Sequence, residues 1–313
     1  MMAGVPMRQA FGLALAEYGA ANPDVVVLDA DTSSSTLSRF FAERFPERFF
    51  NIGIAEPCMV DVAVGLALGG HIPFVNGFAA LLALRALEQV RTCVCYARTN
   101  VKLAAAFAGL SDYKDGPTHH AITDIAIMRA LPEMTVIVPA DAEEAAAWVP
   151  LVAEYDGPVY LRLSRDVAIP VHDRSTGLRI GRGIVRRPGG DVTIVATGTM
   201  VGRSLRAAEA LASEGIEARV LEIHTVKPLD VELIRQAAEE TGALVTAEEH
   251  TVIGGLGGAV AEALAQTRPV PLERVGISDA FARTAPDVDS LMDACGLAVT
   301  DVVAAAKWAL ARK

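Results

Sequence analysis

Two short stretches carry the side chains best suited to chemistry. The first, Asn51-Ile-Gly-Ile-Ala-Glu56-Pro57-Cys58-Met59, sets one carboxylate in an apolar run. Pro57 favours the first turn of a helix, which leaves Glu56 two readings. It can cap free backbone N–H groups, or it can be a desolvated acid with a raised pKa, able to give or share a proton with a ring nitrogen. Ile52, Ile54, Val60 and Val62 supply the apolar surroundings that the second reading needs. The other stretch, Asp115-Gly-Pro-Thr-His119-His120, is a polar loop turned by Gly and Pro, with donors and acceptors where a substrate could sit. Adjacent histidines cannot both face one ion from a regular element, and no Cys or acidic ligand pattern surrounds them, so no metal site is expected there. One His is expected to project into a site while the other packs. Asp115 serves equally well as a turn residue.

These side chains need a frame, and the apolar pattern supplies one. Helices are expected over Arg8 to Tyr18, Glu56 to Leu68, Phe78 to about Ala97, Ile122 to Ala130 and Ala142 to Ala153. Strands are expected at Val25 to Asp29, Phe49 to Ile52, His71 to Val75, Val101 to Ala105, Thr135 to Val138 and Val159 to Leu163. Such alternation predicts an α/β fold, a mostly parallel sheet with helices on both faces. Ligands of these sheets bind beyond the C-terminal strand ends, where Asp31, Ser35 and the 115–119 loop fall. A Gly- and Pro-rich connector, in which a short hairpin is expected, then separates two domains, 1–170 and 191–313, and occupies 171–190. The second domain repeats the α/β alternation, with strands at Asp191 to Ala196, Ala218 to Glu222, Ala243 to Ala247 and Leu272 to Ile277. Its Gly254-Gly-Leu-Gly-Gly258 cluster lacks phosphate-loop spacing, and close loop-to-helix packing is expected instead.

Composition excludes several functions. With 313 residues, 52% hydrophobic and 21% charged, the chain can bury two cores. A net charge of -10 without a basic stripe argues against nucleic acid. Four cysteines are too few for a disulfide framework, and Cys93-Val-Cys95 reads as packing. Val62 to Leu84 carries no Asp, Glu, Lys or Arg and is long enough to span a bilayer. Gly69-Gly70, Pro73 and Asn76-Gly77 nevertheless divide it into helix, strand and helix. A cytoplasmic protein without a signal peptide or membrane span is expected.

In combination these motifs resemble transketolase and the related deoxyxylulose-phosphate synthase. The resemblance covers most of the chain and is carried by Gly53-Ile-Ala-Glu56, Asp115-Gly-Pro-Thr-His119, the run from Asp124 to Pro139, and Asp156-Gly-Pro with Leu163-Ser-Arg165. It implies a pyrimidine-binding domain followed by a transketolase C-terminal domain, with thiamine diphosphate as cofactor. Glu56 would hydrogen-bond a nitrogen of the cofactor's pyrimidine and so promote loss of its thiazolium proton. Phe78 would stack on that ring, with Leu81 and Asp31 beside the cofactor. Asp115 and His119 would contact donor hydroxyls, His119 among the catalytic residues, and Arg8, Ser35 and Arg165 would grip the phosphate of a sugar phosphate. The sequence departs from the family in two places. Leu81, Leu84 and Leu87 stand where further aromatics are usual, and Ala106-Phe107-Ala108-Gly109 lacks a substrate-contacting His.

No Gly-Asp-Gly occurs in the chain, so the family's diphosphate and Mg²⁺ half has no counterpart here. The resemblance therefore implies the C-terminal subunit of a split transketolase. It would be active only with an N-terminal subunit that holds most of the Mg²⁺ site, in an α₂β₂-like assembly, moving a two-carbon ketol unit from a ketose phosphate to an aldose or aldose phosphate, with a specialised branched or modified sugar phosphate as an open option. The beta subunit of a 2-oxoacid dehydrogenase and a non-catalytic scaffold of the same fold stay open as alternatives.

Overall fold

A computed structural model describes residues 4–172 and 177–313; residues 173–176 of the expected connector and residues 1–3 lie outside the described part. The strands in chain order are β1 (Val25–Asp29), β2 (Phe49–Asn51), β3 (Ile72–Phe78), β4 (Lys102–Ala106), β5 (Thr135–Ile137), β6 (Val159–Arg162), β7 (Ile184–Arg187), β8 (Val192–Ala196), β9 (Ala218–Glu222), β10 (Thr225–Lys227), β11 (Leu244–Thr251) and β12 (Leu272–Ile277). They form two sheets, ordered β10-β5-β6-β4-β3-β1-β2 and β12-β11-β8-β9-β7. Every pairing is parallel except β10 on β5 and β7 on β9, at one edge of each sheet. The α/β expectation therefore holds for both halves.

Near-continuous apolar runs build the central strands because helices cover both faces. In the first sheet one face packs Leu28, Val75, Leu103 and Met128, and the other packs Phe11, Phe41, Phe74 and Trp148. In the second, Ile194, Leu211, Val245 and Val302 lie on one side, with Leu221, Ile234, Leu244 and Val260 on the other.

The structure corrects three expectations. Phe78 ends β3 instead of opening a helix, and the long helix expected to about Ala97 is broken. Ala79–Leu84 and Leu87–Gln89 are α-helical, and Val90–Tyr96 is wound as a π-helix. The expected hairpin in the connector is instead β7, an edge strand whose partner is the distant β9. The sheets also interlock: β10, read with the second half, adds an edge to the first sheet through Thr225 opposite Ile137. No helix among the described residues is long and apolar enough to cross a membrane. The charge-free segment from Val62 to Leu84 is divided into a helix, β3 and a second short helix, as its Gly and Pro residues implied.

The 254–258 glycine cluster packs closely, as expected. The Leu256 and Gly257 N–H groups, opening the helix Leu256–Gln266, donate to the Glu248 carboxylate at 2.7 and 2.8 Å. A Cβ on Gly255 would lie 2.0 Å from the same carboxylate. The protein's own anion thus occupies the place a phosphate would take at this helix N-terminus.

Candidate active site

Five adjacent strands of the first sheet, in the order β6-β4-β3-β1-β2, deliver the candidate residues from their C-terminal ends. Arg165 follows β6, and Phe107 and the 109–120 loop follow β4. Phe78 closes β3, Asp31 and Ser35 follow β1, and Glu56 follows β2. Parallel strands point these ends the same way, so residues scattered over the sequence meet along one rim. The helix Met7–Ala21 adds Arg8, because Met7 N–H donates to Asp166 O at 3.3 Å and ties the helix start to the segment after β6.

Rings form the middle of this rim. Phe78 and Phe107 lie with centroids 4.4 Å apart, and His119 approaches Phe78 edge-on at 6.0 Å. The guanidinium groups of Arg8 and Arg165 approach the Phe107 ring at 5.3 and 5.0 Å, within cation–π range. Arg8 also donates to the Ser35 carbonyl, while its Nε has no hydrogen-bond partner. Arg165 pairs with Asp112 at 3.0 Å. The structure thus brings together Arg8, Ser35, Arg165, Phe78 and His119. Phe107, which sequence reading noted only for the missing His, joins the two arginines to the aromatic wall. It is buried with φ at +58°, an uncommon left-handed conformation for a bulky residue.

Glu56 lies at the other side of this rim. It opens the helix Glu56–Leu68 and is buried. Its carboxylate accepts from Arg85 Nη1 at 2.9 and 2.8 Å, and the arginine itself is half exposed. The sequence reading missed this counter-ion. Its signal was weak: Arg85 caps the short helix after Phe78 and follows six apolar positions. Leu81, expected beside the cofactor, sits on that helix and is partly buried. Asp31 is exposed, with φ at +62°, and exchanges hydrogen bonds with Asn51, giving its backbone N–H to Asn51 Oδ1 and accepting from Asn51 Nδ2. Beneath it lies Asp29, also missed. This buried carboxylate takes bonds from Thr32, Thr36 and Ser38, and burial pushes it above the usual range.

The 109–120 loop is held from the second half of the chain. Glu249, in β11, accepts from Leu110 N–H at 2.6 Å and from the Thr199 hydroxyl at 2.7 Å. Tyr113 O accepts from Ala285 N–H at 3.2 Å. Gly109 has φ at +62°, and a Cβ there would stand 2.3 Å from Glu249 Oε1. Beside this contact, Arg162 pairs with Asp124 at 2.8 Å and donates to the Glu249 carbonyl at 3.0 Å. Further along, Asp115 is exposed, and His119 N–H donates to Gly116 O at 2.9 Å, closing the turn. Burial and the neighbouring Asp115 push Asp112 above its ordinary range, against the pull of Arg165. His120 packs inside with both ring nitrogens unpartnered, and burial holds its pKa down. One histidine therefore faces the rim while its neighbour is buried.

These residues suit an aromatic heterocycle that carries an anionic companion: a buried acid and a wall of rings, with two guanidinium groups against the Phe107 ring. Among the described residues, the one His/carboxylate cluster close enough to share an ion is Glu144, His172 and Glu222. It contains none of the rim residues, and its members already meet one another and Asp141 as ion pairs.

Comparison with known proteins agrees with this layout. Residues 3–169 match the family model for the transketolase pyrimidine binding domain, and residues 181–302 match that for the transketolase C-terminal domain. The 6-deoxy-6-sulfo-D-fructose transketolase subunit SqwH of Clostridium sp. (strain MSTE9) is 42% identical over 98% of this chain and 95% of its own. A putative transketolase C-terminal section from Methanocaldococcus jannaschii is 43% identical over 93% and 92%. Among solved structures, a split gene transketolase described as an inactive beta4 tetramer superposes with a TM-score of 0.91 and 48% identity, covering 99% of both chains. Leishmania mexicana transketolase superposes at 0.81 with 25% identity, and there this chain spans 46% of the larger protein. The chain belongs to the transketolase family, as the pyrimidine-binding and C-terminal subunit of a split, thiamine-diphosphate-dependent enzyme that performs ketol transfer only as part of a multi-subunit assembly.

Proposed function

We propose that this subunit forms the proton-handling and sugar-binding wall of a shared site that moves a two-carbon ketol unit from a ketose to an aldose, each ending in an anionic group. The bound cofactor supplies the carbanion-stabilising chemistry. Glu56 holds a proton against a pyrimidine nitrogen once Arg85 yields its place, and Phe78 and Leu81 bracket the ring, with Asp31 at its edge. Asp115 and His119 orient the hydroxyls of the donor, His119 standing at the rim where a proton must move. Arg8, Ser35 and Arg165 hold the terminal anion.

A partner N-terminal subunit contributes the diphosphate and Mg²⁺ ligands, in an assembly of the α₂β₂ type, and the cytoplasm is the compartment proposed. The relatives named for modified sugars, 6-deoxy-6-sulfo-D-fructose and apulose 4-phosphate, favour a specialised substrate. The meeting of Phe78, His119, Arg8 and Arg165 around Phe107 carries this reading. Its test is Glu56→Gln in the assembled two-subunit enzyme. Loss of a general acid–base contribution should lower turnover by roughly 10²- to 10⁴-fold, and turnover within twofold of wild type sinks the proposal.

A further inference from the structure

We propose that the anion seat of Arg8, Ser35 and Arg165 is built for a singly charged sulfonate terminus rather than a phosphate dianion, and that Phe107 sets this preference. The inference rests on the seat assigned under the proposed function and asks what kind of anion that seat accepts.

Its floor is a buried phenyl ring. Phe107 is stacked on Phe78 and flanked by both guanidinium groups, so its side chain has no hydrogen-bond donor for a ligand oxygen. Both arginines are already engaged, Arg8 with the Ser35 carbonyl and Arg165 with Asp112. The wider charge count is even. Arg8 and Arg165 interact with Asp112 and Asp166, Lys114 with Asp166, and Asp115 and His119 with Asp112, so three Arg and Lys charges face three aspartates; Asp289, which also reaches Asp166, is paired with Arg203 at 2.6 Å.

Desolvating a charge is tolerated only where fixed charges and hydrogen bonds compensate it. A balanced seat over a phenyl floor offers little to the second charge of a phosphate ester, which is mostly ionised above pH 7. A sulfonate carries one charge spread over three oxygens and has less hydration to lose. Its oxygens still match the fork of a guanidinium.

The test is calorimetric titration of the full chain, without partner or cofactor, with methanesulfonate and with methyl phosphate at pH 8. Methanesulfonate should bind more tightly by about tenfold, the equivalent of one modest lost hydrogen bond. Arg165→Ala should abolish its binding. Phe107→His restores a donor, and His tolerates positive φ better than most residues; it should bring the two ligands to parity or reverse their order. Phe107→Leu keeps the floor apolar and should keep the order. The proposal is overturned if methyl phosphate binds as tightly as methanesulfonate, if neither binds, or if Phe107→His leaves their ratio unchanged. None of these readouts needs turnover, so a failure of ketol transfer in the assembled enzyme would remove the proposed function and leave the ligand ratio standing.

Discussion

Glu249 offers the sharpest test of how the active rim is held. Its carboxylate is almost fully buried, with one oxygen on Leu110 N–H and the other on the Thr199 hydroxyl. Burial raises its pKa, opposed by Arg162 and by these two donors. Glu249→Ala removes two bonds to a charged acceptor, each contributing about 1.5–3 kcal/mol, and leaves a buried Leu110 N–H without a partner. Relief of the carboxylate's own desolvation offsets part of this loss, so a net destabilisation of about 2–4 kcal/mol is expected. Glu249→Gln separates charge from geometry. Its amide oxygen still accepts from Leu110, and the Thr199 hydroxyl can turn round to accept from the new NH₂, so the cost should be about 1 kcal/mol.

Urea unfolding gives the global value, and hydrogen exchange at Leu110 and through 109–120 gives the local one. In the alanine variant the Leu110 amide should lose protection well beyond the fall in global stability, because its only acceptor is gone. Unfolding free energies of the two variants within about 0.5 kcal/mol of each other, or a Leu110 amide as protected as in wild type, would refute the anchoring argument.

Two further predictions concern charge. His172 meets Asp141, Glu144 and Glu222 where the two sheets join, and its bonds to Asp141 and Glu222 outweigh its burial, raising its pKa from 6.5 to about 10. The folded state therefore holds this proton more tightly than the unfolded chain. Its stabilisation is fully present below pH 6.5 and is lost as pH climbs through 10. Lys102, lowered to about 7 mainly by burial, pulls the opposite way over much of that range. The informative quantity is thus the gap between wild type and His172→Gln, which should shrink from pH 6.5 to 10; a constant gap in thermal unfolding contradicts the assignment. Arg85→Met should destabilise the isolated subunit by roughly 1–2 kcal/mol, below the full cost of breaking a buried pair because the arginine is half exposed. In a double-mutant cycle with Glu56→Gln the two losses should couple by about the same amount, and losses that simply add would point to packing instead.

Much of this architecture was legible because its determinants are local. Parallel strands buried on both faces read as apolar runs, and those from Val25 to Asp29 and from Val192 to Ala196 are buried throughout. The Phe78 segment misled because Asn76-Gly77, which reads as a break, lies inside β3, and the residues from Phe78 to Leu84 are all apolar, so periodicity could not mark where strand gives way to helix. The edge strand β10 was missed because three residues carry no period, and its partner lies far away in sequence. At the site, types and spacing nominated Glu56, Asp115 and His119. The fixing residues Arg85, Asp112, Arg162 and Glu249 act through pairings across sequence separations of 29 to 139 residues, and no local pattern reports these.

Those long-range pairings also explain why a subunit holding half a site can keep that half in shape by itself. An empty wall with a buried carboxylate and two close guanidinium groups would tend to relax, since unpaired buried charge is costly. Three charges of this rim instead have internal partners: Arg85 for Glu56, Asp112 for Arg165, and the Ser35 carbonyl for Arg8. The partners differ in how easily they let go. Asp112 is fully buried and fixed, whereas Arg85 is half exposed on a short helix beside the broken π-helical segment. The proposed anion seat is therefore the firmer of the two, while the place beside Glu56 is held by a side chain that can swing into solvent. On the proposed reading, a cofactor ring nitrogen that reaches Glu56 needs only to displace Arg85, and the remainder of the wall can stay as it is.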